Sequence, residues 1–180
     1  CGVFLLTSRR LQPIFKSMEV LHAPWRIEYI RRPKSSQGDT SVFTAIGRSN
    51  EDEANHVVAR GQHCYAVLNT HPYNGGHVLI VPYKQVPDFD DLTDEENVDL
   101  IKLMQRVKRA LKESMNPDGF NIGINLGKTA GAGIEEHLHI HVVPRWNGDT
   151  NFMPVTGGTT VLPEALNETA AKLRAELCRE

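Results

Sequence analysis

At 180 residues, 40% of them hydrophobic and 23% charged, the chain has the size and composition of a single soluble globular domain that can close a core. Its formal net charge of −2 excludes a global positive field for nucleic acid or anionic lipid, so any bound anion must be held by a local site. No apolar run approaches the roughly eighteen residues that a membrane span requires, which excludes a membrane protein of that kind.

The chain begins at Cys1, and 2–6 form an apolar run too short for a signal-peptide core, with Arg9 and Arg10 on the wrong side of it. Residues 1–17 are therefore expected to be a non-essential extension, with one domain spanning 18–180. Cys1, Cys64 and Cys178 are odd in number and lack metal or disulfide spacing, which favours a reducing cytoplasm. A polar stretch over 31–41 separates an N-terminal arm from the main body.

Two apolar runs follow, 64–68 and 77–81, and both predict strands. Between them lies Asn69-Thr-His-Pro-Tyr-Asn-Gly-Gly76, dense in turn formers. Thr93-Asp-Glu-Glu96 is a capping box that opens a helix. Val98, Ile101, Met104 and Val107, with Leu100 and Leu111, are expected to form its apolar stripe. Asn116-Pro-Asp-Gly119 ends it, and Phe120, Ile122, Ile124 and Leu126 alternate as a further strand. The span 127–133, rich in glycine and alanine, allows backbone to approach a ligand and to offer N–H donors to an anion. Near the C-terminus Leu166, Ala170, Leu173 and Leu177 recur at helical spacing. Strands around one long helix predict an α+β domain with an antiparallel sheet of about five strands, a long central helix and a C-terminal helix.

The most informative run is His137-Leu-His-Ile-His-Val-Val143. Its period of two predicts a strand with Leu138, Ile140 and Val142 toward a core and three histidines on the other face, about 6–7 Å apart. Imidazoles so spaced suit a metal or a phosphoryl group. A zinc hydrolase using His77 or Glu135 as a further ligand, and a nucleotide-binding regulator without turnover, are the rival readings.

The run matches the histidine-φ-histidine-φ-histidine-φ-φ motif (φ apolar) of the histidine triad, or HIT, superfamily. Asn69 and His77, eight residues apart, resemble its ribose-binding position and fourth histidine. Leu21-His-Ala-Pro-Trp-Arg-Ile-Glu-Tyr29 and Pro144-Arg-Trp-Asn-Gly-Asp-Thr-Asn-Phe152 resemble the flanks of a bacterial branch related to diadenosine tetraphosphate phosphorylases and hydrolases. The resemblance implies cleavage at the α-phosphate of an adenosine nucleotide, dinucleoside polyphosphates above all, through a covalent nucleotidyl-histidine. Adenosine phosphoramidates are the alternative substrates. It makes His139 the nucleophile, His137 its orienting partner or an aid to the leaving group, His141 a phosphate contact, and His77 a support from the next strand. Asn69 would bind ribose, Phe43 and Ile46 would wall the purine pocket, and Asn125 would lie near the scissile phosphate. Gly131 and Gly133, with Lys128 or Arg145, are the candidates for an anion pocket. His139→Ala should abolish turnover while the fold survives, on the expectation that this imidazole is exposed. A cytoplasmic homodimer is implied.

Three positions depart from the resemblance. Ser41 and Thr44 stand where many relatives carry a Cys-x-x-Cys pair, so a structural zinc is not expected, and the triad itself requires no cofactor beyond a divalent cation that can accompany the substrate. Gln85 stands where several members have another histidine. Gly133 and Ile134 replace a Gln followed by Ser or Thr, which leaves the leaving group and the choice between water and phosphate open.

Overall fold

The computed structural model describes residues 40–152, 156, 162 and 164–179. The boundary expected at residue 18, the flank at 21–29 and nearly all of the polar stretch 31–41 lie outside the described residues. Among those described, five strands form one sheet: β1 (Val57–Arg60), β2 (Cys64–Leu68), β3 (Val78–Pro82), β4 (Gly119–Ile124) and β5 (Ile140–Arg145). Their order is β1-β2-β3-β5-β4, and every pairing is antiparallel. The helices α1 (Val42–Arg48), α2 (Asp94–Met115) and α3 (Leu166–Leu177) accompany them. The α+β architecture expected from the sequence is the one observed.

Strands β2 and β3 are continuous apolar runs because both of their faces are covered, and all five residues of each are buried. On one face Ala66, Leu68, Val78 and Ile80 meet Leu100, Leu103, Val107 and Leu111 of α2 and Leu173 of α3. On the other, Tyr65, Val67, Leu79 and Val81 form a smaller cluster with Phe43 of α1. Burying one side chain of this kind contributes about 1.5–3 kcal/mol. Helix α1 and strand β1 had no separate signal in the sequence.

The capping box of α2 is formed in both directions: Thr93 Oγ1 accepts from the Glu96 N–H at 3.3 Å, and Glu96 Oε2 accepts from the Thr93 N–H at 2.8 Å. Asn116 closes the helix in the left-handed conformation, φ +45°. The expected stripe needs correction. Leu100, Leu103, Val107, Ala110 and Leu111 are buried, whereas Val98 and Ile101 are 49% and 47% exposed. A helical period of about 3.6 residues turns those two away from the side that meets the sheet. Helix α3 buries Ala170, Leu173 and Leu177 as expected, and the Arg174 guanidinium ties it to the carbonyls of Val57 and Asp52, each at 2.8 Å.

The histidine run is also corrected in detail. Its ladder begins at Ile140, not His137, because β3 pairs with β5 only over Val78–Val142 to Ile80–Ile140. The preceding residues are held by other means, including a bond from the Leu138 N–H to the Val86 carbonyl at 2.7 Å. The alternation survives, since Leu138, Ile140 and Val142 all enter the main core. No helix among the described residues is long and apolar enough to cross a membrane.

Candidate active site

The imidazoles sit where the lead-in to β5 crosses β3 and the start of α1. His137 is fully buried, and His139 is only 7% exposed. The sequence-based picture of three histidines in a row on an open face is thus replaced by a layered arrangement. His139 and His141 reach a cleft of about 630 Å³, and His137 and His77 are buried behind them. His137 does not line the cleft.

Hydrogen bonds assign the protons. Nε2–H of His137 donates to the Pro82 carbonyl at 2.8 Å. Nδ1–H of His139 donates to the carbonyl of His137, also at 2.8 Å, which leaves the lone pair of His139 on Nε2. Burial pushes both imidazoles below their ordinary range, partly offset by these bonds to carbonyls, so both are neutral at neutral pH.

A second chain sets His141. The backbone N–H of Tyr73 donates to Nδ1 of His77 at 3.1 Å, so the proton of neutral His77 lies on Nε2. That Nε2–H donates to Nδ1 of His141 at 2.9 Å. With its Nδ1 accepting, neutral His141 carries its proton on Nε2, and its ring centroid lies 5.0 Å from that of His139. The Tyr73 ring packs on both, 4.8 Å from His77 and 5.7 Å from His141 between centroids. In the sheet, His141 lies opposite Leu79 on β3 and Gly123 on β4, and Gly123 adds no side chain on that flank.

Of the other sequence-predicted residues, Phe43, Ile46, Asn69, Asn125, Gly131 and Gly133 all line the cleft. Phe43 packs on His139 with centroids 5.1 Å apart. The glycine loop corrects a further expectation. The Gly131 N–H bonds to the Lys128 carbonyl at 2.9 Å and the Ala132 N–H to the Gly127 carbonyl at 3.2 Å, so these two donors serve the loop itself. Arg145 is likewise engaged away from the cleft, bonded through Nε and a terminal nitrogen to Asp149 at 2.6 and 2.8 Å and to Asn121 at 2.7 Å. Its guanidinium holds the Asp149 carboxyl down to about 2. Among the described residues, no lysine or arginine lines the cleft.

Sequence reasoning missed Tyr73, His71, Asn55, Val67 and Leu79 as cleft residues. Val67 and Leu79 look like ordinary core positions. His71 and Tyr73 lay in plain view between Asn69 and His77, but nothing in a turn-rich segment says which of its side chains face a ligand. Among the described residues, no three His, Cys, Asp or Glu side chains are grouped to hold a metal ion, so the zinc-hydrolase reading finds no ligand set there.

With this geometry in place, the comparisons are decisive about kinship. The family model described as HIT domain matches residues 50–148. The chain belongs to the HIT family. It is 44% identical over 169 residues to the AP-4-A phosphorylase of Mycobacterium tuberculosis, covering 91% of this chain and 86% of that protein. It is 43% identical over 81 residues to a bis(5'-adenosyl)-triphosphatase of Dictyostelium discoideum, covering 45% of this chain and 54% of that one. Among solved HIT structures, a Zn-bound histidine triad family protein from Mycobacterium smegmatis superposes with a TM-score of 0.62 at 30% identity, over 78% of this chain and 94% of that one.

Proposed function

We propose that this HIT protein cleaves dinucleoside polyphosphates at the α-phosphate through a nucleotidyl-His139 intermediate, with inorganic phosphate as acceptor. The observation that carries the reading is the 2.8 Å bond from His139 Nδ1–H to the His137 carbonyl, which leaves the Nε2 lone pair as the nucleophile in a cleft-lining residue. Nε2 attacks the α-phosphorus, a phosphorus–nitrogen bond forms, and the bond to the bridging oxygen breaks. The leaving nucleotide takes the electron pair of that oxygen. Phosphate then attacks the same phosphorus and restores free His139. From diadenosine tetraphosphate the products are ATP and ADP.

The other residues have roles on this reading. His141 donates its Nε2–H to a non-bridging oxygen of the α-phosphate, where charge accumulates in the transition state. His77 holds His141, and His137 holds His139. Phe43 and Ile46 wall the purine, Asn69 meets the ribose, and Asn125, Gly131 and Gly133 line the path of the phosphate chain. No step needs a metal held by the protein, and a divalent cation arrives with the substrate. Phosphate as acceptor is favoured by the 44% identity to a protein named as a phosphorylase.

The same reading has the domain running from residue 18 to 180 and acting in the cytoplasm, which the odd cysteine number favours. It acts as a homodimer. Support for the dimer comes from β4, an edge strand among the described residues with Ile122 exposed, and from the exposed Val98 and Ile101 of α2.

Product analysis from diadenosine tetraphosphate, with and without phosphate, tests the reaction. ATP plus ADP formed only with phosphate is the expected result. AMP plus ATP formed in its absence would make the protein a hydrolase. No cleavage, with rapid turnover of an adenosine phosphoramidate, would overturn the substrate.

A further inference from the structure

Four polar side chains from three separate stretches converge behind the nucleophile: Ser41 and Thr44 at the start of α1, Gln85 after β3, and His137. Ser41 and Thr44 are each 5% exposed, and His137 is fully buried. Counting protons orders their bonds. Nε2 of His137 is the donor to Pro82, so Nδ1 of the neutral ring must accept, and the Ser41 hydroxyl donates to it at 2.5 Å. Thr44 gives its one hydroxyl proton to Gln85 Oε1 at 2.8 Å. Its 3.4 Å approach to Nδ1 of His137 therefore carries no proton. Gln85 Oε1 also accepts the Ser41 N–H at 2.9 Å, and Ser41 Oγ accepts the Thr44 N–H at 3.2 Å as the N-cap of α1.

This donor set does not fit zinc. Relatives with a Cys-x-x-Cys pair and a further histidine at these places would offer thiolates and imidazole. Here two hydroxyls and a neutral amide oxygen stand in their place, and both hydroxyl protons are already committed. The same atoms instead close a network that ends on the ring of His137, the residue whose carbonyl fixes His139.

We infer that this cluster is a metal-free hydrogen-bonded post for the nucleophile, and that Ser41 is a positioning residue. The Pro82 carbonyl fixes the Nε2–H tautomer of His137, the Ser41 hydroxyl holds the other side of that ring through Nδ1, and the His137 carbonyl then keeps the His139 proton on Nδ1. The inference rests on His139 being the nucleophile, but its spectroscopic consequence does not depend on any substrate.

The test compares the full chain as wild type, S41G and S41T. Glycine is tolerated as a helix N-cap, so S41G keeps α1 while removing the hydroxyl, and S41T restores one. Imidazole nitrogen-15 spectra near neutral pH should show single tautomers in wild type and S41T, with the proton on Nε2 of His137 and on Nδ1 of His139. In S41G the His137 Nδ1 resonance should move toward that of an imidazole nitrogen without a hydrogen-bond donor, with the proton still on Nε2. Turnover of diadenosine tetraphosphate should fall in kcat by roughly tenfold to a hundredfold with KM changed less than about twofold, and S41T should recover it. An unchanged His137 Nδ1 resonance together with unchanged kcat in S41G would overturn the positioning role. One zinc per wild-type chain, retained through chelation and lost in S41G, would overturn the metal-free post. If wild type cleaves no dinucleotide, the proposed function fails and the spectra alone decide this inference.

Discussion

The carbonyl oxygen of His137 lies 2.8 Å from Nδ1 of His139, two residues along the same chain. Through that bond, a fully buried residue that does not line the cleft determines which nitrogen of His139 carries the lone pair. The consequences reach catalysis, acid stability and the packing of the core.

His139→Ala should lower turnover by at least about a thousandfold, since it removes the proposed nucleophile. The side chain is buried and packs on Phe43, contrary to the exposed position expected from the sequence, so its loss also carries a stability cost of about 1 kcal/mol. Steady-state assays and urea denaturation of the purified variant measure both. Near-wild-type turnover is the contrary result.

Burial holds His139 and His137 below the ordinary imidazole range. The acid limb of kcat should therefore lie below about pH 6.5, because His139 keeps its lone pair after an ordinary histidine has lost it. Stability follows the same sign. Between the folded and unfolded values the unfolded chain binds more protons. Stability is therefore fully present above about pH 6.5 and is lost as pH falls through the folded values. Urea midpoints taken from pH 8 to pH 5 should fall, and a rise over that interval would contradict the assignment.

Gly76, immediately before His77, has φ +74°, and a Cβ there would lie 2.6 Å from Met115 Sδ and 3.1 Å from Leu111. Gly76→Ala should cost about 2 kcal/mol or more, from left-handed strain together with overpacking. It should also reduce turnover by shifting His77 beneath His141. Thermal unfolding and assay of this variant check both effects.

The two sides of α2 separate the core from the proposed interface. Leu103→Ala should destabilise by about 2–5 kcal/mol, because this buried side chain packs in the main core. Replacing the exposed Val98 and Ile101 together by Glu should leave the chain folded and convert the proposed dimer to monomer. Sedimentation velocity at micromolar concentration decides it. An unchanged dimer would move the interface elsewhere.

What was legible in the sequence was local and periodic. The Thr93–Glu96 capping box needs only four residues to be recognised, and both of its bonds form. Alternation placed Leu138, Ile140 and Val142 in the core because a strand has two faces whatever its partners are. What was not legible depended on contacts distant in the chain. Val98 and Ile101 are apolar, and only the docking of α2 on β2 and β3 shows that they stay exposed while Leu103 and Ala110 join the buried side. The Gly131 N–H looked like a phosphate donor until the loop closed on Lys128. Burial of His137 follows from Ser41 and Pro82, 96 and 55 residues away in sequence.

The central claim is that Nε2 of His139 becomes covalently nucleotidylated. Diadenosine tetraphosphate labelled in the adenylyl phosphate should be mixed with enzyme, quenched under alkaline conditions within the first turnover and mapped by peptide mass spectrometry. The account predicts one adenylyl group on His139, formed before the first product is released and absent in His139→Ala. Turnover without any labelled histidine, or with the label on His137 or His141, would contradict it.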